Sequence, residues 1–198
     1  MATYKNMFRV SHNGILPVAG SQLIAEPFLQ DAYFQRSVVL LVEHSPKGSM
    51  GFVWNKKTDL VVNSYFAEFE HLPDMPIYLG GPVQTNKLFY VHTLGEEILP
   101  GSYPINDHLF FDGDFESLKY YILNGHPVEG RIRFFLGYSG WAAGQLGQEI
   151  KQDSWAVSRQ EVTLDPLSEG ESYWKQVVGT LGQDYRTWCF YPKDPMFN

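Results

Sequence analysis

The strongest pattern of hydrophobic positions lies near residue 46, where two apolar segments flank a short polar turn. The segment Val38–Val42 is continuously apolar and rich in β-branched residues, which is typical of a strand covered on both faces. Ser45–Gly48 has the composition of a turn, and Met50–Trp54 returns as an apolar partner. The pattern predicts a buried β-hairpin whose polar ends lie at the edges of a sheet.

Further strand-forming segments lie on both sides of this hairpin. Strands come in pairs with helices between them and without steady alternation, which predicts an α+β fold with a mixed or largely antiparallel sheet. The excess of strands over helices predicts that the sheet curls into a partial barrel with several flanking helices. Neither a repeat nor a linker interrupts the chain, so we expect a single compact domain over residues 1–198. The predicted strands are Gln22–Ala25, Ile77–Leu79, Leu88–His92, Leu109–Phe111, Arg131–Gly137 and Trp155–Val157.

Helices are predicted where apolar side chains recur every three or four residues after a capping residue. Tyr65, Phe66 and Phe69 recur in this way, with Asn63 or Ser64 as the N-cap. The other predicted helices follow the cap Asp114 as far as Gly125, carry Leu146 and Ile150 after a glycine-rich bend, and follow a capping box at Ser168–Glu171 as far as Gly182.

Composition narrows the classes of function. The chain has 198 residues, of which 16% are aromatic, so rings supply much of the buried surface. The formal net charge is -7. A protein that binds duplex DNA gains most of its affinity from Lys and Arg side chains that release phosphate counterions, so this balance disfavours direct contact with nucleic acid.

The sequence predicts a cytoplasmic protein. It has a single cysteine and therefore no intrachain disulfide. Residues 1–10 lack the apolar core of a signal peptide, and the longest apolar run is far shorter than the roughly 20 residues that span a bilayer.

The segment Gly137–Gly140 has the composition of a catalytic or anion-binding turn. It follows a predicted strand and precedes a predicted helix, but around Ser139 the Gly-x-Ser-x-Gly elbow is one residue short. Glycine amides at a helix N-terminus also hold small anions, although the P-loop and dinucleotide fingerprints are absent. The sequence favours a third interpretation, a tight glycine turn that lets strand and helix approach closely.

Metal and thiol chemistry find little support. The 6 histidines never recur at i, i+2 or i, i+4 spacing, and no cysteine pair joins them. Asp112–Glu116 lacks the remaining ligands of a calcium loop, and helix capping explains Asp114. Cys189 lies between Trp188 and Phe190, the setting of a buried and inert thiol. The sequence thus predicts no metal and no cofactor, and it contains no recognisable catalytic constellation.

Polar residues cluster at the ends of the central hairpin, where core packing does not require them. One interpretation is structural: Arg36 pairs with Asp31 and Glu43 pairs with His44, and these ion pairs stabilise the ends of the hairpin. The alternative is a crevice for a ligand or partner beside an apolar sheet, with acid–base chemistry at the Glu43/His44 pair. This polar rim consists of Asp31, Arg36, Ser37, Glu43, His44 and Asn55.

Four ordered blocks of the sequence resemble the YqgE/AlgH family over nearly the whole chain. Two positions depart from the family pattern: Lys57 stands where a proline is frequent, and Gly147 stands in a run that is usually Gln-Leu-Glu. Both lie at loop or helix edges. The blocks are Gly20–Pro27 with Leu29, Asp31, Phe34 and Arg36–Val39; Glu43–His44 with Gly48–Val53 and Asn55; Tyr78–Val83; and Gly137–Trp141 with Gly144–Leu146, Glu149–Ile150 and Trp155.

The resemblance implies a compact α+β fold and a label as transcriptional regulators. That label derives from a genetic link to the control of exopolysaccharide synthesis, and no biochemical activity is established for the family, so it implies no catalytic residue. The third and fourth blocks add Gly80, Gly81, Trp141 and Gln145 to the candidate binding residues of the polar rim.

Three functions follow as hypotheses. The acidic balance and the missing catalytic constellation favour a non-enzymatic regulatory or adaptor protein that binds a protein or a small anionic ligand. Direct transcriptional regulation requires a basic face for DNA, which the sequence does not show. A cryptic hydrolase or transferase requires the polar rim, Trp141 and Gln145 to converge on one cleft.

Overall fold

The computed structural model describes residues 11–193. Residues 1–10, which bear on the signal-peptide prediction, and residues 194–198 lie outside the described residues. The strands of the described chain are β1 (Gln22–Ala25), β2 (Val38–Ser45), β3 (Gly48–Val53), β4 (Lys57–Val61), β5 (Pro76–Leu79), β6 (Val83–His92), β7 (Tyr103–Pro104), β8 (Phe110–Phe111), β9 (Ile132–Ala142) and β10 (Trp155–Ser158). Its α-helices are α1 (Phe115–Leu123), α2 (Gln145–Lys151) and α3 (Gly170–Thr180), with 3₁₀ turns at Val62–Ser64, Ala67–Phe69 and Asp184–Phe190.

The central hairpin is present as predicted. Strands β2 and β3 pair antiparallel, with Leu40 opposite Phe52 and the turn closing at Ser45 and Gly48. A register shift follows Leu41, which is typical of a β-bulge. Alternate residues of β2 belong to core clusters on opposite faces of the sheet, which explains why the segment is apolar without a break.

The α+β prediction is confirmed. The strands form an open sheet in the order β10-β1-β2-β3-β9-β6-β8-β7, and β5 pairs with both β9 and β4. The pairing of β5 with β9 is parallel, whereas the other ladders are antiparallel, so the sheet is mixed. No ladder between described residues joins the end strands β10 and β7, so the sheet does not close into a barrel.

Two glycines of the third block allow β5 to enter between β3 and β9. Strand β9 has β6 along one side and β5 followed by β3 along the other. At the fork, the Gly80 carbonyl accepts from the Val53 amide at 2.9 Å. A Cβ atom on Gly80 would lie 2.1 Å from the Gly137 carbonyl oxygen, and one on Gly81 would lie 2.4 Å from the Tyr138 carbonyl. Close backbone approach therefore requires glycine at both positions.

The sheet is covered on both faces. One face carries a core cluster that includes Trp54 and Trp174, and the Trp174 indole of α3 donates to the Ala25 carbonyl at 3.0 Å. The other face carries two clusters, one around Trp155 near α2 and one around Phe134 near α1. This division leaves β5 and the first part of β9 at a boundary between packed layers.

Two helix predictions are wrong in detail. The segment with Tyr65, Phe66 and Phe69 forms 3₁₀ turns without a side-chain cap, because the Asn63 amide donates to carbonyls farther along the chain. The expected capping box at Ser168 is also absent, since α3 begins at Gly170 with no side-chain cap. In contrast, Asp114 caps α1 as predicted by accepting from the Ser117 amide at 2.8 Å.

Candidate functional site

The polar rim divides between the two ends of the hairpin. Arg36, Ser37 and Asn55 lie at the start of β2, whereas Glu43 and His44 lie near its end, roughly 20 Å away at the rise of a β-strand. Glu43 and His44 are exposed, and His44 Nδ1 lies 2.7 Å from the Ser49 hydroxyl. No ion pair among the described residues joins Glu43 to His44. The rim therefore does not form one cleft.

Arg36 has a different partner from the predicted Asp31. Its guanidinium is buried, with 5% of the side chain exposed, and it bonds the Glu171 carboxylate and the Tyr191 carbonyl. Its Cζ lies 5.2 Å from the centroid of the Trp174 ring. The Asp31 carboxylate instead accepts from backbone amides in its own turn. The predicted Arg36–Asp31 pair is wrong because the true partner comes from a helix far along the sequence.

Glu171 is the centre of this charge cluster. Its carboxylate also lies 2.9 Å from Lys175 Nζ and 3.0 Å from Lys193 Nζ. Partial burial alone would raise the pKa of Glu171, but the two lysine hydrogen bonds and the Arg36 charge outweigh it and lower the pKa to about 2. We call Arg36, Glu171, Lys175 and Lys193 the Glu171 latch, because it joins β2, α3 and the C-terminal segment.

Asn55 and its neighbours hold the same end of the hairpin together. The Asn55 side chain accepts from the Val38 amide at 2.9 Å and donates to the carbonyls of Arg36 and Gly170 at 3.1 and 2.8 Å. The Asn55 side-chain amide is therefore hydrogen-bonded to backbone groups through both its oxygen and its nitrogen. The buried Ser37 hydroxyl has no hydrogen-bond partner in the described structure.

Trp141 and Gln145 of the fourth block meet at one carboxylate. Glu149 Oε2 accepts from the indole nitrogens of Trp141 and Trp155, each at 2.8 Å, and Oε1 accepts from Gln145 Nε2 at 2.9 Å. Phe34 stacks against the Trp141 indole and meets the Trp155 indole edge to face. This arrangement ties α2 to the sheet through bonds that are already complete.

The possible nucleophiles are poorly placed for reaction. Strand β9 runs straight through the expected turn at Gly137–Gly140, so Ser139 lies within a strand with 0% exposure and donates to the Gly80 carbonyl at 3.0 Å. Burial is the main influence on the Cys189 thiol and raises its pKa, which lowers its thiolate fraction. Among residues 11–193 there is no group of three or more His, Cys, Asp or Glu side chains that could hold a metal ion.

A buried serine–histidine contact exists that the sequence analysis missed. Ser102 Oγ lies 3.3 Å from His92 Nε2. However, His92 Nδ1 accepts from the Leu94 amide at 3.2 Å, so the ring proton is on Nε2, which lies 3.0 Å from the Asp112 carbonyl and donates to it. The Ser102 hydroxyl donates to the Leu99 carbonyl at 2.5 Å. His92 therefore has no free lone pair to accept the serine proton.

A groove of about 690 Å³ lies along the starts of the paired strands β5 and β9. Its apolar lining includes Met75, Ile122, Ile132 and Phe134, which belong to the core cluster near α1. Its walls contain four prolines, whose fixed φ angles make the loops stiff. These are Pro73, Pro76, Pro127 and Pro166.

Arg133 lines this groove as a buried cation that forms no ion pair with a carboxylate of the described chain. Only 4% of its surface is exposed, and it donates to the carbonyls of Trp54, Ser168 and Asp165 at 3.0, 3.2 and 2.6 Å. Its Cζ lies 4.5 Å from the Trp54 ring centroid and 4.3 Å from that of Tyr78. None of the ion pairs of the described residues involves Arg133. Burial is the main influence on the pKa of Arg133 and lowers it, whereas the nearby charges of Glu169 and Asp165 act in the opposite direction.

Lys57 and Tyr78 line the same groove beside Arg133, and we call the three residues the cationic corner. The Glu169 carboxylate reaches this corner only loosely: its Oε2 lies 3.6 Å from Lys57 Nζ and 3.5 Å from the Tyr78 hydroxyl. Burial raises the pKa of Tyr78, so the hydroxyl remains a donor. The sequence analysis named Lys57 only as a departure from the family pattern and included Arg133 only within a predicted strand, so it did not place them together. The sequence signal that could have indicated this site was Arg133, a single arginine among the apolar residues of a predicted strand.

The described chain contains no helix of the length and hydropathy that a membrane span requires. This finding concerns residues 11–193 alone.

Comparisons with known proteins identify the family. A sequence model described as AlgH-like matches residues 22–186. A UPF0301 protein of Parabacteroides distasonis is 63% identical over 100% of both chains, and one of Bacteroides fragilis is 47% identical over 98% of this chain and 97% of its own.

Solved structures share the fold. A crystal structure of a Corynebacterium diphtheriae protein has a TM-score of 0.73 at 22% identity, covering 92% of this chain and 95% of that one. The solution structure of the AlgH protein from Pseudomonas aeruginosa has a TM-score of 0.67 at 28% identity, covering 88% and 93%. The chain belongs to the AlgH-like family.

Proposed function

We propose that this protein is a cytosolic, non-enzymatic regulatory protein that binds a small anionic ligand in the groove along the starts of β5 and β9. The observation that carries the proposal is Arg133, a buried cation that lines the groove and forms no ion pair with a carboxylate among residues 11–193. Burying a charge is costly unless it is paired, so proteins seldom retain an incompletely compensated one without a use for it. An anion in the groove supplies the missing countercharge.

The dimensions of the groove support ligand binding. Its volume of about 690 Å³ lies within the range of small-molecule sites, roughly 300 to 1,000 Å³. Such sites combine an apolar lining with a few polar groups, and here the polar groups include those of the cationic corner. Because Arg133 is already oriented by three carbonyls, little ordering is needed when a ligand arrives.

A regulatory role is supported by what the cationic corner touches. Arg133 bonds the carbonyls of Asp165 and Ser168, and the next residue, Glu169, immediately precedes α3. The first turn of α3 carries Glu171, which holds the Glu171 latch. A ligand that changes the contacts of the 165–169 segment at the cationic corner therefore acts on residues next to α3 and the C-terminal segment. This is a physical connection between an internal site and an outer surface.

The groove is tested by filling it. Val61 lines the groove at the end of β4, whereas the neighbouring Leu60 does not line it and is 40% exposed. Amide NMR spectra of ¹⁵N-labelled protein are recorded with a panel of small organic anions, cations and neutral molecules. We expect anions to shift the amides around the cationic corner, Val61→Trp to abolish these shifts, and Leu60→Trp to retain them. Shifts located elsewhere, or unaffected by Val61→Trp, contradict the proposal.

The regulatory part has its own test. A strain that lacks the gene is complemented with wild-type protein, Val61→Trp or Leu60→Trp, and transcripts are compared. We expect wild type and Leu60→Trp to restore the same profile and Val61→Trp to fail at equal protein level. Full restoration by Val61→Trp contradicts a regulatory role for the groove.

A further inference from the structure

We infer that the ligand is an amphipathic monoanion whose carboxylate replaces that of Glu169 at Lys57 and Tyr78, with its apolar body along the groove. The inference rests on the proposed function and specifies the chemistry of the ligand. It joins three observations: the loose contacts of Glu169, the apolar lining of the groove, and the distribution of charge around it.

Glu169 occupies the place of a ligand head group without binding tightly. Its contacts of 3.6 Å to Lys57 Nζ and 3.5 Å to the Tyr78 hydroxyl are longer than the roughly 2.7–2.9 Å of well-formed charge-assisted hydrogen bonds. The side chains of Glu169 and Lys57 are 40% and 49% exposed, so both have room to move. The backbone is fixed, because the Glu169 amide donates to the Leu167 carbonyl at 2.8 Å. Rotation of one side chain into solvent frees the donors.

The rest of the groove favours an apolar body. Met75, Ile132 and Phe134 line it with 4%, 6% and 1% of their surface exposed, and they offer no hydrogen-bonding side chain. A bare inorganic anion fills only a small part of about 690 Å³ and leaves this lining wet. Each methylene buried there is expected to raise affinity about fourfold.

The surrounding charges favour a single negative charge. Asp74 and Glu129, which precede β5 and β9 in the sequence, also line the groove. The whole chain carries a formal net charge of -7. A second negative charge on the ligand meets repulsion from these carboxylates, whereas one carboxylate at the corner meets Lys57 and Arg133.

The test uses octanoate, hexanoate, octan-1-ol and inorganic phosphate as probes in amide NMR titrations. We expect octanoate to bind about fifteenfold tighter than hexanoate, because hexanoate lacks two methylenes, and also tighter than octan-1-ol. Lys57→Gln is expected to weaken octanoate about fivefold, and Glu169→Gln to strengthen it about threefold, since a competing carboxylate is removed. Octan-1-ol is expected to bind both variants equally. The control is Lys47→Gln in the β2–β3 turn, which should bind octanoate as wild type does.

The outcomes separate the two claims. Three results overturn the inference but leave the groove as a ligand site. They are binding of octan-1-ol as tight as that of octanoate, binding of phosphate tighter than that of octanoate, and a lower octanoate affinity in Glu169→Gln. If octanoate does not bind but another anion of the panel shifts the groove amides, the inference alone fails. If no anion of any kind shifts them, the inference and the proposed function both fail.

Discussion

Two buried arginines make the most instructive comparison in this molecule. Arg36 and Arg133 are 5% and 4% exposed, both bond backbone carbonyls, and both lie against a tryptophan ring. Arg36 also meets the Glu171 carboxylate, whereas Arg133 meets none among the described residues. The same side chain therefore serves two purposes. Arg36 has a carboxylate partner and stabilises the fold. Arg133 lines a groove without such a partner among the described residues, so it is available to a ligand.

The largest expected effect is on stability, at Arg36. Arg36→Met should lower the free energy of unfolding by about 3 kcal/mol, because removing one member of a buried ion pair leaves its partner uncompensated. Urea denaturation measures the change. Arg131, which is exposed, provides the control, and Arg131→Met should change stability by less than about 0.5 kcal/mol. Equal effects at the two positions would show that the Glu171 latch contributes little.

The latch should also make folding sensitive to acid. The folded pKa of Glu171 is about 2, below its ordinary value of 4.5, so its contribution is fully present above pH 5 and is lost as pH falls towards 2. Allowing for its partial exposure, we expect a loss of about 1–2 kcal/mol over this window. Glu171→Gln should flatten the dependence. The measurement is urea denaturation at several pH values, and an unchanged slope in the variant would argue against the latch.

Replacing Arg133 should have the opposite balance of effects. Arg133→Met removes a charge whose desolvation is incompletely compensated, so the loss of its carbonyl bonds should cost only about 1 kcal/mol. Binding of anions in the groove should disappear. Denaturation and an octanoate titration on the same sample measure both quantities. A loss of stability as large as that of Arg36→Met, with anion binding intact, would reverse the roles assigned to the two arginines.

The smallest expected effect is at the outer part of the latch. Lys193 is 66% exposed and lies 3.0 Å from the Glu171 carboxylate. Lys193→Ala should lower stability by at most about 0.5 kcal/mol, since exposed ion pairs contribute little. A precise comparison of denaturation midpoints tests this. A loss above about 2 kcal/mol would show that the C-terminal segment, rather than the buried Arg36, dominates the latch.

The sequence predicted the hairpin and the α+β class because both depend on local alternation and on the order of elements. It also predicted the Asp114 cap, whose bonding partner is three residues away. It failed at Glu171, which fitted a capping box by spacing but bonds Arg36, 135 residues distant. Local spacing cannot reveal a partner that only tertiary packing brings near.

The groove escaped prediction for the same physical reason. Its lining comes from four separate segments, residues 57–61, 72–78, 122–134 and 164–166, and no one of them carries a binding motif. Gly80 and Gly81 of the third block were predicted as binding residues. In the structure, close backbone packing explains why both positions are glycine. For the candidate rim, the sequence correctly located polar residues at strand ends but not their distribution over two distant ends.

The most direct test of the account is a crystal structure of the protein with 8-bromooctanoate, whose bromine is located by anomalous scattering. The account predicts the carboxylate at Lys57 and Tyr78 beside Arg133, the bromine against the lining formed by Ile132 and Phe134, and the Glu169 side chain turned into solvent. Bromine bound outside the groove, or a carboxylate directed away from the cationic corner while Glu169 keeps its place, would contradict it.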